Sequence, residues 1–477
     1  LHDYIDFKET AEELADKYTM AGVPVENVVR ADSGLDKVVT GRIEKLEPNP
    51  DSDHLLVCQM NVGQKEFVTI QTGADNVHEG DIVPVALVGA HLPNGLKISK
   101  GKLRGIPSNG MMCSAGELAI DTEGLPDEQV NGIYILPPDT PVGVPAAQVL
   151  GLDDVILEFE LTANRADCFS VIGIAREVAA LTGKSLRMPT IEVKETVSVR
   201  AADLVSIHID DKELCHRFSA RVLRDVKVAP TPAWMVDRLR GAGIRSINNV
   251  VDVTNFVMLE LGQPMHAYDW AQIAGKKLTA RLAAKGEELH TLDDSSRRAK
   301  GTELVIADAE KAAGLAGVMG GLESEVTDAT QTVVLEAAAF NGASIRRTSR
   351  ALGLRSEASG RFERGVDVAH TVRALDRAAQ LLQQMGACTV ASGIVDVYPT
   401  PKAPVEVAFT AAAVNARLGT EIEGAEMKRI LEKLGFAVRE EGSSYIAGVP
   451  SWRSDVTLME DISEEVARIH GYDKIAA

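Results

Sequence analysis

Apolar residues near the start of the chain recur at helical spacing. Ala11, Leu14, Ala15 and Tyr18 fall on one face, and Gly22 and Pro24 supply a stop, so residues 1 to about 37 read as an amphipathic helix. From Val38 the pattern shortens to five β-like runs punctuated by Pro, Gly, Asn and Asp, which predicts a small barrel of the OB type over residues 38–150. Helical spacing returns between Leu161 and Pro189: Val171, Ile174, Ala175, Val178 and Leu181 share a face, Asn164 or Asp167 is placed to cap it, and Gly183 closes it. Residues 193–398 mix amphipathic helices (Thr231 to Gly241, His370 to Met385) with strand-like runs such as ELVIAD and QTVVLEA, an α/β pattern that ends at the linker YPTPKAP. The last stretch, 399–477, reads as strand VEVAF, helices from Ala411 and Ala425, then FAV and YIAGVP: a compact module of helices with a β-wing. The chain is therefore expected to be multidomain α+β.

Length agrees, since 477 residues exceed one core and imply three to five domains at about 100–200 residues each. A composition of 45% hydrophobic, 25% charged and 4% aromatic residues is that of a globular protein, and no apolar run is long enough for a membrane span. The expected compartment is the cytoplasm. Cys58, Cys113, Cys168, Cys215 and Cys388 form no CxxC pair, so neither a zinc cluster nor a disulfide framework is expected. The formal charge of −19 excludes polyanion binding by the whole surface and leaves room only for local basic patches. Lys97, Lys100, Lys102 and Arg104, in KISKGKLR, form one such patch. A solvated loop is the alternative reading of the same residues.

Candidate chemistry concentrates in three stretches. Arg245 to Asp269 (RSINNVVDVTNFVMLELGQPMHAYD) sets Arg245, Thr254, Asn255, Gln263 and His266 among apolar residues with no clear period, the mixture a pocket wall uses. Val334 to Phe340 (VLEAAAF) holds Glu336 alone in an apolar run, and Leu352 to Asp367 contributes LGLRSEASGRFERGVD. These are taken as one site. GLKISKGK imitates a phosphate loop with the wrong glycine spacing and with Leu103 in place of Ser or Thr. AGVMGG lacks dinucleotide-binding spacing, so its glycines are expected to permit close backbone approach. Asp461, Glu464 and Glu465 fall on one face if the segment from Glu460 is helical, with Asp455 able to fold back towards them. Four carboxylates there suit either a hard cation or a solvated acidic first turn.

In order, the string from Arg245 to Asp269, AGVMGG at 316–321 and SEASGRFERGVD at 356–367 closely resemble the bacterial phenylalanine–tRNA ligase β subunits. EPNPDSDHLL, TGADNV and KLRGIPSNGMMCS resemble a tRNA-binding OB module, although OB barrels also serve as spacers. The resemblance implies a helical domain split into 1–37 and 151–192 with the barrel inserted in it, a B3/B4 editing domain, and a winged-helix-like B5 domain without a DNA partner. It further implies residues before Leu1 and catalytic-like and anticodon-reading domains after Ala477.

By the same resemblance, the α subunit charges tRNA(Phe) with phenylalanine using ATP, and two α and two β chains form the assembly. The β chain would hydrolyse mischarged Tyr-tRNA(Phe). Arg245, Thr254, Asn255 and His266 would serve the reaction; Gly317, Glu336, Ser356 and Ala358 would line the pocket; the basic patch would touch tRNA. Asp455, Asp461, Glu464 and Glu465 would hold Mg²⁺ at the α-subunit contact. Ser356 and Gly360 stand where many members have Thr and His. Two other readings remain open: a tRNA-docking scaffold with a vestigial pocket, and a hydrolase of an unrelated small substrate.

Overall fold

The computed structural model describes residues 1–30, 34–120, 122 and 125–475. The chain forms two compact units, one of residues 28–157 and one combining 1–27 with 158–477.

The smaller unit is built on β1 (Val38–Pro48), β2 (Leu56–Asn61), β3 (Val68–Thr72), β4 (Ile82–Leu87) and β5 (Gly110–Met112). They pair in the order β3-β2-β1-β4-β5, all antiparallel. Asn109 N donates to Thr69 O at 2.9 Å, which brings the open edges together into a nearly closed barrel. Ile43, Cys58, Met60, Ile70, Val83 and Val85 fill it from alternate positions. A short hairpin, Gly101–Leu103 with Ile106–Ser108, projects at the turn Arg104-Gly105. It is fixed to the barrel by Gln71, whose Nε2 donates to Leu103 O (3.0 Å) and Ile106 O (2.8 Å).

The first helix is shorter than the sequence pattern suggests: α1 spans Ala11–Met20 in the larger unit, opened by a Thr10–Glu13 capping box, and the strand Val25–Arg30 follows it in the chain. Gly22, at φ +77°, breaks the helix where the Gly and Pro signals lie. The next helix, α2 (Val171–Thr182), is capped by Ser170, which accepts from Gly173 N at 3.0 Å, rather than by Asn164 or Asp167. Tyr18 OH donates to Ile174 O and ties α1 to α2.

The largest part pairs two sheets. One runs Glu195–Arg200, Thr389–Ser392, β6 (Cys215–Arg224), Thr332–Phe340, Met265–Asp269; the other runs Ser206–Ile209, Lys277–Leu282, Leu304–Ala307, Ala312–Leu315, Met319–Gly320. Two helices, α3 (Asn249–Leu261) and α4 (Thr371–Gln384), cover the outer face of the first sheet. We label Met265–Asp269 β7 and Thr332–Phe340 β8. Along β8, Val333, Leu335 and Ala337 pack towards the helices while Val334, Ala338 and Phe340 pack towards the second sheet. Both faces are buried, which is why the run reads as continuously apolar. Glu336 shares the period-two face of Val334 and Ala338 and so points between the sheets.

Residues 405–475 form a three-stranded sheet (Val405–Phe409, Ser444–Val449, Ala437–Glu441) with helices Ala411–Leu418, Gly424–Lys433 and α5 (Met459–His470). Their apolar faces share one core.

Candidate functional site

A cavity of about 100 Å³ opens between the two sheets. Its walls are Pro264, then Met265, His266 and Tyr268 of β7, Glu336 and Phe340 of β8, the Gly314–Gly320 stretch of the second sheet, and Ala358 and Phe362. His266 lies directly opposite Glu336 in the β7–β8 register, and Tyr268 follows on the same face. Tyr268 OH donates to Glu336 Oε2 at 2.6 Å, and the His266 and Tyr268 rings meet edge to face at 4.5 Å. Glu336 Oε1 has no hydrogen-bond partner among the described residues.

Electrostatics follow from this enclosure. Burial raises the Glu336 carboxyl to about 7, with the Tyr268 hydrogen bond pulling the other way. Burial lowers His266 to about 4, so the ring is neutral at pH 7, and its buried Nε2 is unpartnered. Gly320 explains the packing: a Cβ there would strike the His266 ring, and one at Gly317 (φ +66°) would meet Phe362 at 2.8 Å. The expectation that AGVMGG permits close backbone approach holds at these two positions.

Four of the eight residues proposed from sequence for this site line the cavity: His266, Gly317, Glu336 and Ala358. The other four do not. Thr254 is buried in α3, with its hydroxyl donating to Val251 O at 2.7 Å, and Asn255 is half-buried on the same helix. Arg245 is exposed in the preceding loop. Ser356 caps the helix Glu357–Phe362 and donates to Val318 O at 2.7 Å, bracing the cavity wall from outside. At Gly360 a Cβ would meet no heavy atom within 4 Å, so a side chain there has open space. Tyr268 was not singled out from sequence. Its i, i+2 relation to His266 on a strand is the signal that would have found it.

Lys97, Lys100, Lys102 and Arg104 are exposed on and beside the barrel hairpin, with Leu103 between them 45% exposed. None is in an ion pair among the described residues. The four C-terminal carboxylates lie on or before α5 as expected, but they form no cage within this chain. Both oxygens of Asp455 accept from Arg453 (2.9 and 2.8 Å), and Glu465 is shared by Arg453 and Arg468. Asp461 accepts from Thr457 N and Leu458 N, and Glu464 is exposed. Among the described residues, the group of three potential ligands within 4.8 Å of one another is Asp167, Cys168 and Glu177, where Arg165 already pairs with both acids. The residues present therefore do not fit a preformed Mg²⁺ site.

Opposed titrations make His266 testable. Glu336, raised from 4.5 to about 7, contributes stability that is full below 4.5 and lost as pH rises to 7. His266, lowered from 6.5 to about 4, contributes stability that is full above 6.5 and lost as pH falls to 4. At pH 5 the wild type thus bears a penalty of roughly 2 kcal/mol from His266. We expect His266→Gln to match wild-type stability at pH 7 and to gain about that much relative to it at pH 5, by urea denaturation. Parallel pH profiles would dismiss the buried neutral histidine.

Comparison with known proteins now adds the class. Residues 38–145 match a putative tRNA binding domain, 214–387 a B3/4 domain, and 407–472 a tRNA synthetase B5 domain. This is the module set of an aminoacyl-tRNA synthetase subunit. Phenylalanine–tRNA ligase beta subunits from Moorella thermoacetica and Clostridium acetobutylicum are 47% and 44% identical over 475 residues, covering 100% of this chain and 59% of each relative. The chain belongs to the phenylalanine–tRNA ligase beta-subunit family. It spans 59% of the length of these curated relatives.

Proposed function

We propose that the cavity between the sheets hydrolyses Tyr-tRNA(Phe), with Glu336 reading the tyrosine hydroxyl. The observation that carries this reading is a carboxyl at the cavity wall, held by Tyr268 through one oxygen and with the other free to accept from a substrate phenol. A pocket shaped for phenylalanine rejects an isostere bearing one extra hydroxyl by only about 10², so a second site that requires the hydroxyl serves fidelity. Hydrolysis adds water to the ester carbonyl, breaks the bond to the terminal ribose oxygen, and returns the proton to that oxygen. His266, neutral and a weak base, holds the water or a ribose hydroxyl by accepting a hydrogen bond at Nε2. Thr254, Asn255 and Ser356 act from behind the wall by fixing α3 and the 316–320 turn, and Arg245 contacts the tRNA from outside the cavity. The deciding assay is release of tyrosine from Tyr-tRNA(Phe) by this chain. Absence of release, with tRNA still bound, would establish the docking scaffold with a vestigial pocket.

In the same reading the chain joins an α subunit that charges tRNA(Phe) in the cytoplasm, as two α and two β chains. Among the described residues no helix is long and apolar enough to cross a membrane. The barrel hairpin touches tRNA: Lys100→Glu with Lys102→Glu is expected to weaken tRNA binding and flatten the salt dependence by a slope of roughly two. An unchanged slope would separate the hairpin from RNA.

Mg²⁺ is a property of the assembly. The α subunit would complete a site around Asp461 and Glu464, whose oxygens are the least committed of the four carboxylates. Asp461→Asn keeps an acceptor for the backbone amides and should lower Mg²⁺ affinity and subunit association without slowing Tyr-tRNA(Phe) hydrolysis. Equal Mg²⁺ titrations of the two assemblies would reject the assignment.

A further inference from the structure

A second cavity, of about 350 Å³, lies where α2, the start of α4 and the 405–475 module meet. Its lining carries three cations, Arg176, Arg373 and Lys433, against one carboxylate, Glu432. In a chain of net charge −19 such a concentration needs a reason. The usual one, pairing with acids, does not apply.

Arg176 stacks on the Trp452 ring at 3.9 Å and donates no side-chain hydrogen bond among the described residues. Arg373 makes a single long one, to Pro189 O at 3.3 Å, and its Nε is buried without a partner. The nearby carboxylate of Asp367 is already engaged by Ser451 Oγ (2.8 Å), Ala369 N (3.0 Å) and His370 Nδ1 (3.2 Å). Holding two guanidiniums in a half-buried wall with most of their donors unused is costly unless an acceptor fills the space.

The backbone adds to the same field. Thr371–Gln384, a helix of 14 residues, begins at the cavity, and its N-cap His370 makes no side-chain cap bond, so the positive end of the helix dipole faces the cations. Burial, first, and Arg373 push Arg176 below its ordinary range, while Asp167 and Asp367 oppose that; His370 is likewise lowered by burial, against Asp367.

We propose that this cavity binds the phosphate group of a phosphate ester, with Arg373 and Arg176 as the forked donors and Lys433 as a rim charge. Arginine suits this role because its planar fork presents paired donors to two phosphate oxygens. Two sources supply such a group, a backbone phosphate of tRNA and a free phosphorylated metabolite.

The full chain is titrated calorimetrically with inorganic phosphate, with chloride at equal ionic strength as control, and its binding to deacylated tRNA is followed over a salt series. Arg373→Gln is expected to weaken one of these at least tenfold, and Lys433→Gln, on the exposed rim where folding is not at stake, about two- to fivefold. Loss of tRNA affinity with a salt slope shallower by about one assigns the site to an RNA phosphate. Loss of inorganic phosphate binding with tRNA binding unchanged assigns it to a free metabolite. If neither titration responds to either variant, the proposal is overturned. Tyrosine release from Tyr-tRNA(Phe), which depends on Glu336, is recorded alongside, so failure of this site and failure of the hydrolytic reading are told apart.

Discussion

Glu336→Ala should slow clearance of Tyr-tRNA(Phe) by about 5- to 150-fold, the rate equivalent of the roughly 1–3 kcal/mol lost when a buried hydrogen-bond partner is removed. Phenylalanine charging by the assembled enzyme should be untouched. The geometry also predicts a pH signature. Tyr268 already donates to one oxygen of Glu336, and burial holds the carboxyl near 7, so the group passes from neutral to ionised across the physiological range. A phenol donates more strongly to a carboxylate than to a neutral carboxyl. Clearance by the wild type should therefore rise through about pH 7, beyond the intrinsic lability of the ester. Glu336→Gln keeps an acceptor oxygen but cannot ionise, and its profile should lack that step. Identical profiles for Glu and Gln at 336 would remove the carboxyl from substrate recognition even if the Ala variant were slow.

How far the sequence reached depends on how many faces of each element are buried. The barrel was legible because β1 to β3 turn one side inward: Ile43 and Ile70 point in while Arg42 and Thr69 do not, and turn residues mark the ends; β4 is buried on both faces and reads as a short apolar run between such ends. Glu336 stood out because it is the lone charge in a strand buried on both faces. The stretch 245–269 was misread for the opposite reason. Helix α3 is buried nearly all round, so no apolar stripe appears, and its polar groups serve the interior. Asp252 accepts from Thr231, Ser246 and Ile247 N, and Glu260 from Tyr4 and Arg377. Dense polar residues among apolar ones thus marked a buried hydrogen-bond network around Asp252 and Glu260, and a cavity wall only from Pro264 onward. The Glu336–Tyr268 pair depends on strand register, which nothing in either strand states alone.

The C-terminal acids show the same limit, and they support the largest expected change in stability. Arg468 sits on α5 between two carboxylates: it donates to Glu177 Oε2 of α2 at 2.6 Å and to Glu465 Oε2 at 2.6 Å, and each of the three side chains is 2–3% exposed. Arg165 completes the far side of Glu177 at 2.6 Å, and Arg453 the far side of Glu465. Burial alone would raise Glu177, but Arg468 and Arg165 hold it at about 2, and the same opposition holds Glu465 lower still. Removing Arg468 leaves two buried carboxylates short of a partner, a loss of about 3–5 kcal/mol. Arg468→Met should therefore loosen the 405–475 module from α2, seen as hydrogen exchange in Met459–His470 faster by at least 10², while the cavity strands β7 and β8 keep their protection. The sign with pH is fixed by the depressed carboxyls. Their stabilisation is full above about 4.5 and fades as pH falls towards 2, so wild type and variant should converge in acid. If the two chains instead stay apart by the same margin at every pH, the arginine acts by packing alone, and the ionic clasp between α2 and α5 is refuted.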